Sequence, residues 1–130
     1  MPANRFVIDA SAWIEYLDGT ETGKSVIKIA EDNSTEVFTS AATVAEVVSK
    51  FLRANKDVKI AFASINNLTV VFNLTQEISM AAGQIHAAAK KTNKNFGMLD
   101  AFVVATARKF GAKILTCDSD FRGFKEAVII

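Results

Sequence analysis

Cysteine, histidine and proline each occur once in this chain of 130 residues, as Cys117, His86 and Pro2. A single cysteine cannot form an internal disulfide, which is typical of proteins that work in a reducing interior. With its one proline at position 2 and no Gly/Ser-rich linker or internal repeat, the chain shows no domain boundary. We therefore expect one domain over residues 1–130, which is long enough to enclose a core.

Long apolar runs and a large net charge are missing as well. No segment approaches the roughly 18 consecutive apolar residues of a membrane span, and the apolar run at the N-terminus is too short for a signal peptide. The sequence thus predicts a soluble cytoplasmic protein without membrane contact. Its net charge of +1 excludes nucleic-acid binding through overall charge alone, while a local basic patch stays open.

Hydrophobic residues make up 50% of the chain, and they follow two patterns. Short, nearly continuous apolar runs predict five strands covered on both faces, and apolar positions at helical spacing predict six helices. Strands that alternate with helices indicate an α/β fold with parallel strands and right-handed crossovers. The predicted strands are 6–8, 37–39, 69–73, 113–116 and 127–130, and the predicted helices are 12–17, 23–31, 41–53, 57–66, 76–91 and 99–110.

Five acidic residues form a candidate site in this arrangement. Asp9 comes directly after the first strand, and Asp118 and Asp120 come directly after the fourth. Glu46 lies in the early turns of the helix after the second strand, and Asp100 opens the apolar helix before the fourth. Because strand C-termini and helix N-termini meet at one edge of a parallel α/β sheet, we expect these acids to converge there.

Each acid also has an ordinary structural interpretation, which the sequence leaves open. Asp9 fits a helix N-cap, and Asp100 fits a first-turn acid stabilised by the helix dipole. Thr43 and Glu46 match a capping box, and Glu46 with Lys50 fits an ion pair on a solvated helix face. The two acids after the fourth strand fit a turn.

A convergence of these acids is best explained by a bound cation. Clustered carboxylates repel one another, and burying them unpaired is costly. Oxygen ligands with no histidine or cysteine among them select Mg²⁺ or Mn²⁺ and argue against zinc. Such ions activate water and stabilise the leaving oxygen of a phosphodiester, so the cluster indicates metal-dependent cleavage of nucleic acid.

Four segments of the sequence resemble the PIN-domain ribonucleases, and among them the compact toxins of the VapC type. The resemblance covers essentially the whole chain, and the segments have the order and spacing of that family. They are 7–11, 43–46, 99–107 and 115–121. The resemblance implies a PIN-like three-layer α/β/α fold with a twisted parallel five-stranded sheet, and hydrolysis of RNA with Mg²⁺ or Mn²⁺.

The site residues that the resemblance implies fall on the positions that match these motifs. The implied catalytic residues are Asp9, Glu46, Asp100 and Asp118. The implied metal ligands are Asp9, Asp100, Asp118 and Asp120, with Ser11 and Thr116 in support. The chain departs from many members at Ala10, where a hydroxyl residue is frequent, and this removes one hydrogen bond while leaving the carboxylates intact.

The resemblance also implies partners and leaves two rival functions to weigh. A homodimer and a cognate antitoxin are expected, the antitoxin binding near the first helices, where Trp13, Ile14 and Tyr16 fit either a contact surface or ordinary core. One rival is a catalytically silent PIN scaffold that acts by binding protein or RNA. The other is a receiver-like signalling domain that holds Mg²⁺ at strand ends. It is disfavoured because Asn73 stands where an acceptor aspartate is needed.

Overall fold

The fold is an all-parallel sheet with helices on both faces, as seen in a computed structural model that describes residues 4–130. The strands are β1 (Asn4–Ile8), β2 (Thr35–Ser40), β3 (Val70–Phe72), β4 (Lys113–Thr116) and β5 (Ala127–Ile129). The helices are α1 (Ala10–Asp18), α2 (Glu21–Ala30), α3 (Ala41–Arg53), α4 (Val58–Leu68), α5 (Gln76–Lys90) and α6 (Met98–Phe110). All five predicted strands and all six predicted helices are present, so the predicted α/β fold is confirmed.

The central strands send alternate side chains into two separate cores, as the period of two in a strand requires. Val7 and Ile114 pack in one hydrophobic cluster with residues of α5 and α6. Ile8 and Leu115 pack in a second cluster with residues of α1, α2, α3 and α4. The sheet is therefore covered on both faces, which gives the three layers that the resemblance implied.

The strand order β3-β2-β1-β4-β5 places β1 at the centre of the sheet. A receiver-like domain has the order 2-1-3-4-5, so the receiver-like alternative is wrong. The chain leaves β1 toward β2 on one side, and β4 lies on the other side. The carboxyl ends of β1 and β4 thus flank the switch point where open α/β sheets form their binding crevice.

Two helices begin two residues earlier than the apolar pattern indicates, because polar side chains cap them. α1 begins at Ala10, directly after its cap Asp9. α2 begins at Glu21, directly after its cap Thr20, whose hydroxyl accepts the N–H of Gly23 at 3.0 Å.

Gly23 lies where α2 packs closely on α1. A Cβ at this position would be 2.3 Å from the carbonyl oxygen of Glu15, so the close packing requires glycine.

Among the helices of residues 4–130, none combines the length and apolar character that crossing a bilayer requires.

Candidate metal centre

Asp9 lies directly after β1 and is only 3% exposed. Its Oδ2 accepts the backbone N–H of Ser11 at 3.4 Å, the Ser11 hydroxyl at 2.8 Å and the Thr116 hydroxyl at 2.9 Å. The other oxygen, Oδ1, takes part in none of these three bonds. Asp9 is therefore the N-cap of α1, and this role still leaves one carboxylate oxygen to bind a cation.

Ser11 and Thr116 connect this carboxylate to the backbone that follows β4. Each hydroxyl has one proton and donates it to Asp9. As acceptors, Ser11 Oγ takes the N–H of Cys117 at 2.9 Å, and Thr116 Oγ1 takes the N–H of Asp118 at 3.0 Å. The two predicted supporting residues thus hold Asp9 in one orientation at the junction of β1 and β4.

Glu46 and Asp100 complete a compact group of three carboxylates with Asp9. Glu46 projects from the second turn of α3, and Asp100 is the third residue of α6, where its Oδ2 accepts the N–H of Gly97 at 2.9 Å. One carboxylate oxygen of each residue lies within 4.8 Å of the other two. Three acids from separate parts of the chain therefore converge, as the topology predicts. We call Asp9, Glu46 and Asp100 the acid trio.

The acid trio resists ionisation. Burial, followed by the charges of Asp9 and Asp100, raises the pKa of Glu46 to about 7. Burial is also the main cause that raises the pKa of Asp100 to about 6, against the opposing hydrogen bond from Gly97. The pKa of Asp9 is raised because burial outweighs the hydrogen bonds from Ser11 and Thr116. A divalent cation would offset both the cost of burial and the mutual repulsion by pairing with all three charges.

The surroundings of Glu46 fit a cation better than they fit a solvated helix face. Ser40 caps α3, with its Oγ accepting the N–H of Ala42 at 3.2 Å, so the capping-box interpretation of Thr43 and Glu46 is wrong. Within residues 4–130, no ion pair joins Glu46 to Lys50. Glu46 Oε1 is buried and has no hydrogen-bond partner in the same part of the chain. A buried oxygen of this kind is costly unless something binds it, and a donor set made only of carboxylates fits Mg²⁺ or Mn²⁺.

The last two predicted acids lie beside the acid trio and are not members of it. Asp118 caps the 3-10 turn Ser119–Phe121, with its Oδ1 accepting the N–H of Asp120 at 2.9 Å. Asp120 turns toward the loop after α5, where its Oδ1 accepts the amide of Asn93 at 3.2 Å. The charges of both acids raise the pKa of Asp100, which places them next to the site. The sequence does not predict the contact of Asn93 with Asp120, because the segment around Asn93 indicates only a turn.

The family model of the PIN domain matches residues 6–127. The chain belongs to the PIN domain family. The acid trio therefore lies at the carboxyl edge of a PIN domain, around its central strand. No curated protein sequence gives a significant match to the chain.

Solved structures share the PIN fold at low sequence identity. A toxin–antitoxin complex from Klebsiella pneumoniae aligns at 20% identity over 94% of each chain, with a TM-score of 0.73. The sarcin-ricin loop cleaving toxin VapC20 from Mycobacterium tuberculosis aligns at 18% identity over 92% of this chain and 95% of its own, with a TM-score of 0.71. VapBC-5 from M. tuberculosis aligns at 20% identity over 99% and 98% of the two chains, with a TM-score of 0.65.

Proposed function

We propose that this PIN domain is a Mg²⁺- or Mn²⁺-dependent endoribonuclease. The observation that carries the proposal is the acid trio, in which three carboxylates approach within 4.8 Å at the carboxyl edge of the sheet. Their raised pKa values support a cation as the missing partner, as does Glu46 Oε1, which has no hydrogen-bond partner among residues 4–130. Cleavage of RNA by water, without use of the ribose 2′-hydroxyl, is expected to leave a 3′-hydroxyl and a 5′-phosphate.

The side chains have distinct roles in this proposal. Asp9 and Asp100 would hold the ion, from the end of β1 and the first turn of α6, and Asp118 and Asp120 would add negative charge from the β4 side. Glu46 would complete the ligand set or accept a proton from the attacking water. When bound, the ion supplies an activated water and stabilises the leaving oxygen of the phosphodiester. Ser11 and Thr116 keep Asp9 oriented through their hydrogen bonds to Oδ2.

We further propose that the protein is the toxin of a toxin–antitoxin pair, acting in the cytoplasm as a homodimer. The support is the structural likeness of 94% and 99% of this chain to chains of toxin–antitoxin systems. Copurification with the product of a small neighbouring gene for a DNA-binding protein, and relief of growth arrest by that product, are the expected results.

The central experiment is an RNA cleavage assay with Mg²⁺, Mn²⁺ or EDTA. Wild type is expected to cleave with either metal and to stop in EDTA, and Asp9→Asn and Asp100→Asn are expected to lose at least about 100-fold in rate. Asp57→Asn is the matched control for Asp9→Asn, because Asp57 caps α4 and asparagine caps helices equally well. This control is expected to keep full activity.

Other outcomes decide against the proposal in different ways. Cleavage that persists in EDTA, or in both site variants, would show that the acid trio is not the catalytic centre. RNA binding by wild type with no cleavage under any metal would support the silent PIN scaffold instead.

A further inference from the structure

A groove of about 320 Å³ lies between α3 and the start of α6. Glu46, a member of the acid trio, is one of its lining residues. Two cations and a serine of α3 line one wall, and Leu99 of α6, 39% exposed, lines the other. The residues that line the groove are Ala45, Glu46, Ser49, Lys50, Arg53 and Leu99. We call it the α3 groove.

The cations of the α3 groove are arranged in a row that starts at the acid trio. Lys50 is four residues beyond Glu46, and Arg53 is three residues further, so all three lie along one side of the helix. With a rise of about 1.5 Å per residue, the two cations stand roughly 6 Å and roughly 10 Å from Glu46 along the helix axis. The row can therefore follow an extended polyanion away from the metal centre.

Both cations are available to bind such a ligand. Lys50 and Arg53 are exposed, and within residues 4–130 neither forms an ion pair. The Nε of Arg53 donates to Ser49 Oγ at 3.3 Å, which orients the guanidinium and leaves its two terminal nitrogens for a phosphate. Leu99 offers an apolar surface on which a ribose or a base can pack.

A second, larger cavity of about 470 Å³ beside Asp120 is less suited to a polyanion. It contains Arg108 and Arg122, but Arg108 pairs with Glu126 at 3.3 Å, and Asp120 itself lines the cavity. Arg108 is thus already paired with Glu126, and Asp120 adds a negative charge to the cavity. In the α3 groove, two cations accompany one carboxylate, and that carboxylate belongs to the proposed metal site.

We propose that the α3 groove binds the backbone of single-stranded RNA on one side of the bond that is cut. Lys50 and Arg53 contact successive phosphates, Ser49 positions Arg53, and Leu99 packs against a sugar or base. This inference rests on the proposed function, since it names the path by which the substrate of the acid trio enters. It assigns Lys50 and Arg53 to substrate binding and leaves the chemical step to the acids.

The test measures RNA binding separately from cleavage. Fluorescence anisotropy of a labelled 12-nucleotide single-stranded RNA is recorded with Mg²⁺ over a range of KCl concentrations, in the Asp100→Asn background. Lys50→Gln and Arg53→Gln are each expected to weaken binding roughly fivefold and to reduce the slope of log K against log [KCl] by about 0.7. Lys50→Arg is expected to restore both values.

Lys28→Gln is the matched control, because Lys28 is exposed on α2 and forms no ion pair within residues 4–130. It is expected to leave the affinity and the slope unchanged. The alternative role of Lys50 and Arg53, stabilisation of the C-terminus of α3 through the helix dipole, predicts a change in melting temperature with RNA affinity intact.

The results separate this inference from the proposed function. If wild type cleaves RNA and the groove variants bind it like the Lys28 control, the inference is overturned and the nuclease proposal stands. If wild type binds RNA with a slope that depends on Lys50 and Arg53 yet cleaves nothing, the inference stands and the nuclease proposal fails. Absence of any RNA binding overturns the inference.

Discussion

The orientation of Asp9 depends on two hydroxyl groups that contribute little to the apolar core. Thr116 is fully buried, donates to Asp9 and accepts the N–H of Asp118. Ser11 makes the corresponding pair of bonds with Asp9 and the N–H of Cys117. A buried polar network of this kind is stable only while each donor and acceptor is matched. The loss of one hydroxyl should therefore affect both stability and cation binding.

Thr116→Val tests this at the level of one side chain. The change keeps the shape but leaves the Asp118 N–H and one lone pair of Asp9 without a partner, so the free energy of unfolding should fall by about 1–3 kcal/mol. The stabilisation given by Mn²⁺ should also become smaller. Urea unfolding with EDTA and with Mn²⁺ measures both effects.

Thr106→Val is the control for this change. Thr106 is equally buried, but its hydroxyl donates to the carbonyl oxygen of Phe102 within α6, at 2.7 Å. Its replacement should leave the response to Mn²⁺ as in wild type. An unchanged Mn²⁺ response in Thr116→Val would show that the hydroxyl does not orient Asp9 for the cation.

The sequence predicts the acids at strand ends more securely than the acid on α3. Asp9 follows a strand whose place in the sheet is set by its apolar character, so its position at the carboxyl edge comes from topology alone. For Glu46, helical periodicity places the residue on a polar stripe and does not show that α6 packs against that stripe. Only the packing of α3 with α6 turns Glu46 toward Asp9 and Asp100. The contact of Asp120 with Asn93 depends on loop geometry and has no sequence signal.

At the scale of helices and strands, the short apolar runs and the helical spacing of apolar residues predict all five strands and all six α-helices of the described residues. The predicted and observed helices differ at their ends, because capping side chains set the first helical residue and the apolar pattern does not. α1 and α2 each gain two residues because Asp9 and Thr20 satisfy their first N–H groups. The close approach of α2 to α1 is a tertiary contact, and only Gly23 in the sequence marks it.

Replacing Gly23 with alanine tests that contact. The new Cβ would meet the backbone of Glu15 at 2.3 Å, and backbone cannot move aside as a side chain can. The helices must separate, so we expect Gly23→Ala to lower the free energy of unfolding by about 2–3 kcal/mol. Gly83→Ala in α5 is the control, because within residues 4–130 no atom apart from its chain neighbours and its own helix backbone lies within 4 Å of the added Cβ. It should stabilise the protein by about 0.5–1 kcal/mol, and equal effects of the two changes would contradict the tight contact of α1 with α2.

At the scale of the whole molecule, the carboxyl edge of the sheet carries a charge cluster that the rest of the fold must hold together. The two cores on either face of the sheet supply the stability, and the burial and mutual repulsion of the acid trio's charges subtract from it. The free energy of unfolding therefore reports on the charge state of the acid trio. It also connects the pH dependence of folding to cation binding, because protons and cations compete for the same oxygens.

The metal-free protein should become less stable as the pH rises from about 4 to about 7. Below this range, the carboxyls of Glu46 and Asp100 are protonated in both the folded protein and the unfolded chain, so folding does not bury their charges. Within it, the folded protein keeps protons that the unfolded chain has released, because folding raises the pKa values from 4.5 and 3.8 to about 7 and about 6. Since both groups are partly exposed, we expect a loss on the order of 2 kcal/mol, and Glu46→Gln should flatten the profile.

Addition of Mn²⁺ should cancel this loss. At pH 7.5, above the pKa values of Glu46 and Asp100, a concentration 100 times the dissociation constant should raise the free energy of unfolding by about 2.7 kcal/mol. At pH 5 the same concentration should have a smaller effect, since protons occupy Glu46 and Asp100. Thermal unfolding at both pH values, with EDTA or Mn²⁺, measures the difference, and Asp9→Asn should reduce it while Asp57→Asn should not. Equal stabilisation by Mn²⁺ at both pH values would place the ion away from these carboxylates.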